Sequence, residues 1–145
     1  MDQKKKYSPF DHATHNLKAH ELLKKSEIKF SDWEVTTAFY ASLKFIEGSL
    51  FPDTFKHPKE DEQRHYESYN DYKGEYNRFV GGTPHSCMKY FVNQNTPANI
   101  QTFYSEIYDV CHNARYKNYQ VKEGDLKIAK DALESIRIYC VENQK

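Results

Sequence analysis

The chain has 145 residues, with 21 basic and 21 acidic side chains, a formal net charge of zero, 38% hydrophobic residues and 15% aromatic residues. That length matches one domain with one core. The even charge excludes the broad basic excess by which a whole surface grips nucleic acid, and no stretch approaches the roughly 18 apolar residues of a membrane-spanning segment. Tyr is the dominant ring, with 12 copies against 9 Phe, so much of the core volume must come from side chains whose hydroxyls need partners. The three cysteines, Cys87, Cys111 and Cys140, share no C-x-x-C spacing. With no apolar leader in MDQKKKYSPF, they read as reduced, buried thiols of a cytoplasmic protein. Lys4-Lys5-Lys6 reads as a solvated tail or as a contact patch, and residues 1–9 are assigned to a flexible tail.

The first predicted helix runs from about Phe10 to Lys25, with Ala13, Leu17, His20 and Leu23 at helical spacing. His20 falls on that apolar stripe, either as a hydrogen-bonded core histidine or as a functional group facing a bundle interior. The second helix opens at Ser31, where Glu34 completes a capping box and Phe30 and Val35 can form a staple; Pro52 stops it. Val35, Phe39, Leu43, Ile46 and Leu50 form its main stripe, and Ala38, Ala41, Ser42, Phe45 and Ser49 a second face of mostly small residues. Trp33, Thr37, Tyr40 and Lys44 form a third. A helix occupied on three faces is expected to be central.

Pro58 is suited to a helix start, and Tyr66, Tyr69, Tyr72, Tyr76 and Phe79 then recur every three or four residues, as packing or as a stacking platform. Gly81-Gly82-Thr83-Pro84 breaks the chain before a short helix over His85 to Asn93. Thr96 and Pro97 look like the cap and first residue of a helix carrying Ile100, Phe103, Ile107, Cys111 and Ala114, which ends near Arg115 and Tyr116. Gly124-Asp125 precedes a last helix with Leu126, Ala129, Leu133, Ile136 and Cys140 on one stripe. The expected fold is all-α: a single-domain, up-and-down bundle of about five helices.

The sequence shows little familiar chemistry. His12 and His15 share a helix face, and His20, His65, His85 and His112 could in principle add ligands from elsewhere, but no H-E-x-x-H motif supports such a site, so neither a metal nor another cofactor is expected. There is no G-x-S-x-G elbow, no activated cysteine context and no phosphate-cradling glycine loop.

Three segments carry a resemblance: DWEVTTAFYASLKFIE (Asp32 to Glu47), HPKEDEQR (His57 to Arg64) and IYDVCHNARYKNY (Ile107 to Tyr119). In this order and spacing the chain, from about residue 13 to 140, resembles small stand-alone HEPN-domain proteins. Their central helix reads W-x-x-T-x-x-F-Y-x-x-L, matched here by Trp33, Thr36 or Thr37, Phe39, Tyr40 and Leu43. The family's conspicuous Arg after a loop corresponds to Arg64, and its closing A-R-Y to Ala114, Arg115 and Tyr116. The resemblance implies a HEPN-like helical bundle, often a homodimer, and a link to RNA, in some members as a metal-independent endoribonuclease of conflict or toxin–antitoxin systems.

Catalytic members carry an Arg followed after four to six residues by His. A cation then steadies charge on the phosphate while imidazole moves protons. This chain departs from that hallmark, since only Arg78 and His85 have the spacing, with the Gly81–Pro84 break between them. The His that relatives often carry near Lys44 and Asp61 is also missing.

Two function classes stay open: an RNA-associated, possible metal-independent ribonuclease or degenerate relative, and a non-catalytic module binding a cognate protein or nucleotide-like ligand. For the first, the expected site is a polar cleft lined by Trp33, Thr37, Tyr40, Lys44 and Tyr116. Arg64 and Arg115 would supply its cations, and His57 or His112 its acid or base. The plainer alternative is ion pairing, of Arg64 with Glu60 or Glu67 and of Arg115 with Asp109 or Glu123.

Overall fold

The computed structural model describes residues 6–57, 59–76 and 82–144. The described residues form an all-α bundle with one small hairpin: α1 (Pro9–Lys25), α2 (Ser31–Leu50), β1 (Asp53–Lys56), β2 (Gln63–Tyr66), α3 (Tyr69–Tyr76), α4 (Pro84–Asn95), α5 (Ala98–Tyr116) and α6 (Glu123–Glu142). Among the described residues six helices thus replace the expected five, and none is long and apolar enough to cross a membrane.

Helix α2 is the centre, in contact with α1, α5 and α6. Val35, Ala38, Ala41 and Ile46 are fully buried, and Phe39 and Phe45 nearly so, while Leu43 and Leu50 are only half-buried. Small residues let the neighbours come close. At Gly48 an added Cβ would fall on the Phe10 ring of α1 and lie 3.2 Å from the Phe10 backbone nitrogen. Phe10 also meets Phe45 edge to face at 5.6 Å between centroids. His20, on α1, is buried, and its Nδ1–H donates to the Glu34 carbonyl of α2 at 2.8 Å. It is therefore the core histidine of the two readings open in the sequence.

Several helix ends differ from the sequence expectation. Ser8 caps α1 through the Asp11 amide, and Tyr7 bonds His12 at 3.0 Å, so residues 7–9, expected in a tail, take part in the fold. At α2 the cap position is Phe30, with no side-chain cap bond, and Phe30 is exposed, so neither capping box nor staple forms. Thr96 does not open α5. Its hydroxyl donates to the Val92 carbonyl at 2.7 Å and closes α4, while Pro97 takes the cap position of α5. The capping box that does form is Thr83 with Ser86, at the start of α4.

The largest correction lies between α2 and α3. Instead of a long helix from Pro58, which itself lies outside the described residues, an antiparallel hairpin pairs Asp53 with Tyr66 and Phe55 with Arg64. Strand alternation turns Phe55 and Tyr66 inward. There they join Phe51, Tyr69, Tyr72, Tyr76 and Phe91 in one aromatic cluster. Tyr72 stacks on Tyr76 at 4.0 Å and Phe51 on Phe91 at 5.0 Å. The tyrosine series is therefore packing, begun by a strand residue and continued by the short α3. Phe79 lies outside the described residues.

Two measurements check this core. Phe39 is 2% exposed and packs on Tyr40, Tyr104 and Tyr108, so Phe39→Ala should cost about 3–5 kcal/mol of unfolding free energy in a denaturant titration. Burial holds His20 below its ordinary 6.5, so as pH falls the unfolded chain takes up that proton before the folded one. The associated stability is complete above about 6.5 and lost as pH drops through the lowered value. Between about pH 7 and pH 5, His20→Gln should lose less stability than the wild type; an equal loss in both would separate His20 from the effect.

Candidate functional site

The candidate site residues fall into two separate polar groups. The first belongs to the hairpin. Arg64, on β2, donates from Nε to Glu62 and from Nη2 to Glu60, each at 2.5 Å, and its Nη1 pairs with Glu75 of α3. Tyr66 donates to the second oxygen of Glu75 at 2.6 Å. His57 is 3% exposed. Its Nδ1 accepts the amides of Lys59 and Glu60 at 3.1 and 3.0 Å, and its Nε2 faces Glu75 at 3.8 Å. His57 therefore ties the hairpin turn together through Nδ1, with Nε2 directed at Glu75. Three carboxylates surround the Arg64 guanidinium, so it has no field left for a phosphate. The ion-pairing reading of Arg64 describes this site, and His57 is buried beside it in the hairpin.

The second group lies where the exposed edge of α2 meets α4 and the end of α5. Along α5, Tyr104, Tyr108, His112 and Tyr116 repeat every four residues and so share one face. Their successive ring centroids are 6.4, 5.8 and 5.0 Å apart. Arg115 donates from Nη1 to the Tyr40 hydroxyl at 2.9 Å. Its guanidinium carbon lies 6.0 Å from the Tyr40 ring and 5.7 Å from that of Tyr116. Among the described residues it forms no ion pair, with Asp109 and Glu123 included. His85, the second residue of α4, sits 5.2 Å from the Tyr108 ring and 6.3 Å from Phe39. Tyr40, His85, Tyr108, His112, Arg115 and Tyr116 line a shallow, open depression of about 20 Å³.

Partial burial, with the charges of His112 and Arg115, holds the His85 imidazole below its ordinary value, which keeps it neutral and able to accept a proton near neutral pH. The cleft thus presents one uncompensated guanidinium, two imidazoles packed on one tyrosine ring, and two further aromatic faces.

The third face of α2 does not line this cleft as a unit. It contributes Tyr40 alone. Trp33 is 53% exposed, and the Thr37 hydroxyl is spent on the Trp33 and Glu34 carbonyls. Lys44 pairs with the buried Glu47 at 2.9 Å beside the Tyr7 ring. Arg64 and Arg115 have no partner in common, so the expected shared cleft divides into two places. Arg78 lies outside the described residues; His85 lies in one depression with Arg115 and His112. The signal that could have found the cleft is the four-residue repeat from Tyr104 to Tyr116. Among the described residues no three His, Cys, Asp or Glu side chains converge as metal ligands do.

Comparison of the chain with protein-family models, with curated proteins and with solved structures gives no match.

Proposed function

We propose that the protein is an RNA-associated, HEPN-like protein and that the Arg115 cleft is its site of metal-independent phosphodiester cleavage. The observation that carries this reading is the grouping of His85 and His112 on one tyrosine ring beside a cation that no carboxylate among the described residues neutralises. The chemistry follows from those groups. A phosphate docks on the Arg115 guanidinium, and the neighbouring bases stack on Tyr40 and Tyr116. His85, held neutral, takes the proton of the ribose 2′-hydroxyl as its oxygen attacks phosphorus. Arg115 steadies the charge on the non-bridging oxygens. His112 gives a proton to the departing 5′-oxygen, which leaves a 2′,3′-cyclic phosphate and a free 5′-hydroxyl. Arg64 and His57 have no part in it.

A homodimer and a cognate protein in a toxin–antitoxin pair belong to the same reading. Trp33, Tyr116 and Tyr119, each more than half exposed, are the kind of residue that interfaces select. The second reading, a non-catalytic binding module, draws on the departure from the Arg–His spacing. It keeps the cleft as a phosphate site and omits the cleavage.

An RNA cleavage assay in EDTA separates the readings. Wild type should cleave. Arg115→Ala, His85→Ala and His112→Ala should each lower the rate by about two orders of magnitude or more, and Arg64→Ala should leave it unchanged in any preparation that stays folded. The rate should fall as pH drops through the lowered His85 value, where the base becomes protonated. Binding that is weakened by Arg115→Ala, with no cleavage in wild type, selects the non-catalytic module. Cleavage equal in all variants is contamination and removes the site. Light scattering at tens of micromolar should give the mass of two chains; the mass of one chain would remove the dimer from the reading.

A further inference from the structure

Beyond His85 and Tyr108 the Arg115 cleft continues into a groove between α4 and α5. The two depressions share those two side chains as a common wall. The groove is larger, at about 250 Å³, and the rest of its lining is Thr83, the cap of α4, Ser86 and Lys89 from α4, and Ser105 and Asp109 from α5 beside Tyr104. Helix spacing accounts for the lining. His85, Ser86 and Lys89 fall on one side of α4, while Tyr104, Ser105, Tyr108 and Asp109 fall on the facing side of α5. Lys89 and Asp109 are exposed. Among the described residues neither forms a hydrogen bond or an ion pair, although both line the same groove.

We infer that this groove is a base subsite, that it prefers guanine, and that Asp109 is the residue that sets the preference. The inference rests on the phosphate reading of Arg115. With a phosphate there, the adjoining nucleotide reaches over His85 and Tyr108, and its base enters the groove against the tyrosine wall. A carboxylate only accepts hydrogen bonds and has two oxygens to do so. Guanine alone among the four bases offers two neighbouring donors, the ring N1–H and the exocyclic N2–H₂, on one edge. Its O6 and N7 are acceptors, which suits the Lys89 ammonium. Uracil offers a carboxylate one donor, flanked by two carbonyl oxygens that the carboxylate repels. Adenine and cytosine offer one exocyclic amine beside an unprotonated ring nitrogen. A paired donor edge against Asp109 is worth about tenfold or more in discrimination.

Titration calorimetry and amide chemical shifts with 3′-GMP, 3′-IMP and 3′-UMP test it. Inosine keeps N1–H and O6 but lacks the N2 amine, so the expected order is GMP tighter than IMP, and IMP tighter than UMP, with about tenfold between the ends. Asp109→Ala and Asp109→Asn should bring the three affinities together, chiefly by weakening GMP, with circular dichroism and melting temperature reporting that both variants fold. Arg115→Ala should weaken all three nucleotides by a similar factor and keep their order. Equal affinities in wild type, or an order that survives both Asp109 changes, would overturn the subsite and leave the phosphate site standing. No binding of any mononucleotide, together with RNA binding insensitive to Arg115→Ala, would overturn the subsite and the proposed function together.

Discussion

The structure depends on one requirement: α2 must be covered along most of its length by three helices at once. Val35, Phe39, Phe45 and Ile46 supply the apolar area, and Ala38, Ala41, Ser42, Gly48 and Ser49 let neighbours approach its backbone. At about 25 cal/mol per Å² of apolar surface removed from water, this helix provides much of what offsets the entropy of ordering the chain. Its surroundings are specific on each side: the Phe10 ring over Gly48 from α1, the His20–Glu34 bond from the same helix, and Tyr104 and Tyr108 against Phe39 from α5. Where the cover stops, at Tyr40, the edge of α2 meets the end of α5, and the candidate cleft is there. Core and cleft are therefore adjacent on the same helix: Phe39 faces in while Tyr40, one residue on, faces out.

The long helices were legible in the sequence because each buries a stripe of period 3.6 over four turns or more, as Ile100, Ile107, Cys111 and Ala114 do on α5. The hairpin was not. Each strand has four residues, β2 carries a single buried side chain, and Tyr66 happens to continue the spacing of the tyrosines after it. A period of two cannot be recognised over four residues set in a highly charged segment. Thr96 shows another limit. A hydroxyl beside a proline suits the end of one helix as well as the start of the next, and only the position of α4 decides between them.

The same limit divides the site. Tyr40, His112, Arg115 and Tyr116 could be selected because two helices, each read correctly, carry them to one place. Arg64 was drawn in by the resemblance, and His57 with it, in a segment where a helix and not a hairpin was expected. The hairpin's cross-strand geometry is what gathers Glu60 and Glu62 about the guanidinium and Glu75 behind it. His85 was discounted for the glycine break before it, yet that break lets α4 start beside α5 with its second residue against Tyr108. Net charge does not distinguish the two arginines. In a chain of zero formal charge, what matters for an anion is whether a given cation has been neutralised. Arg64 and Arg115 are chemically the same and opposite in that respect.

The three thiols have a practical consequence. Cys87 on α4, Cys111 on α5 and Cys140 on α6 are all free and buried, and burial pushes each of them up, Cys140 to about 12. Only an exposed thiolate attacks an alkylating reagent, so the native molecule is protected twice over, by access and by protonation. Iodoacetamide labelling, followed peptide by peptide in a mass spectrometer, then becomes a clock with one hand on each of three helices. It reports how often each one swings away from the bundle, without a single introduced probe.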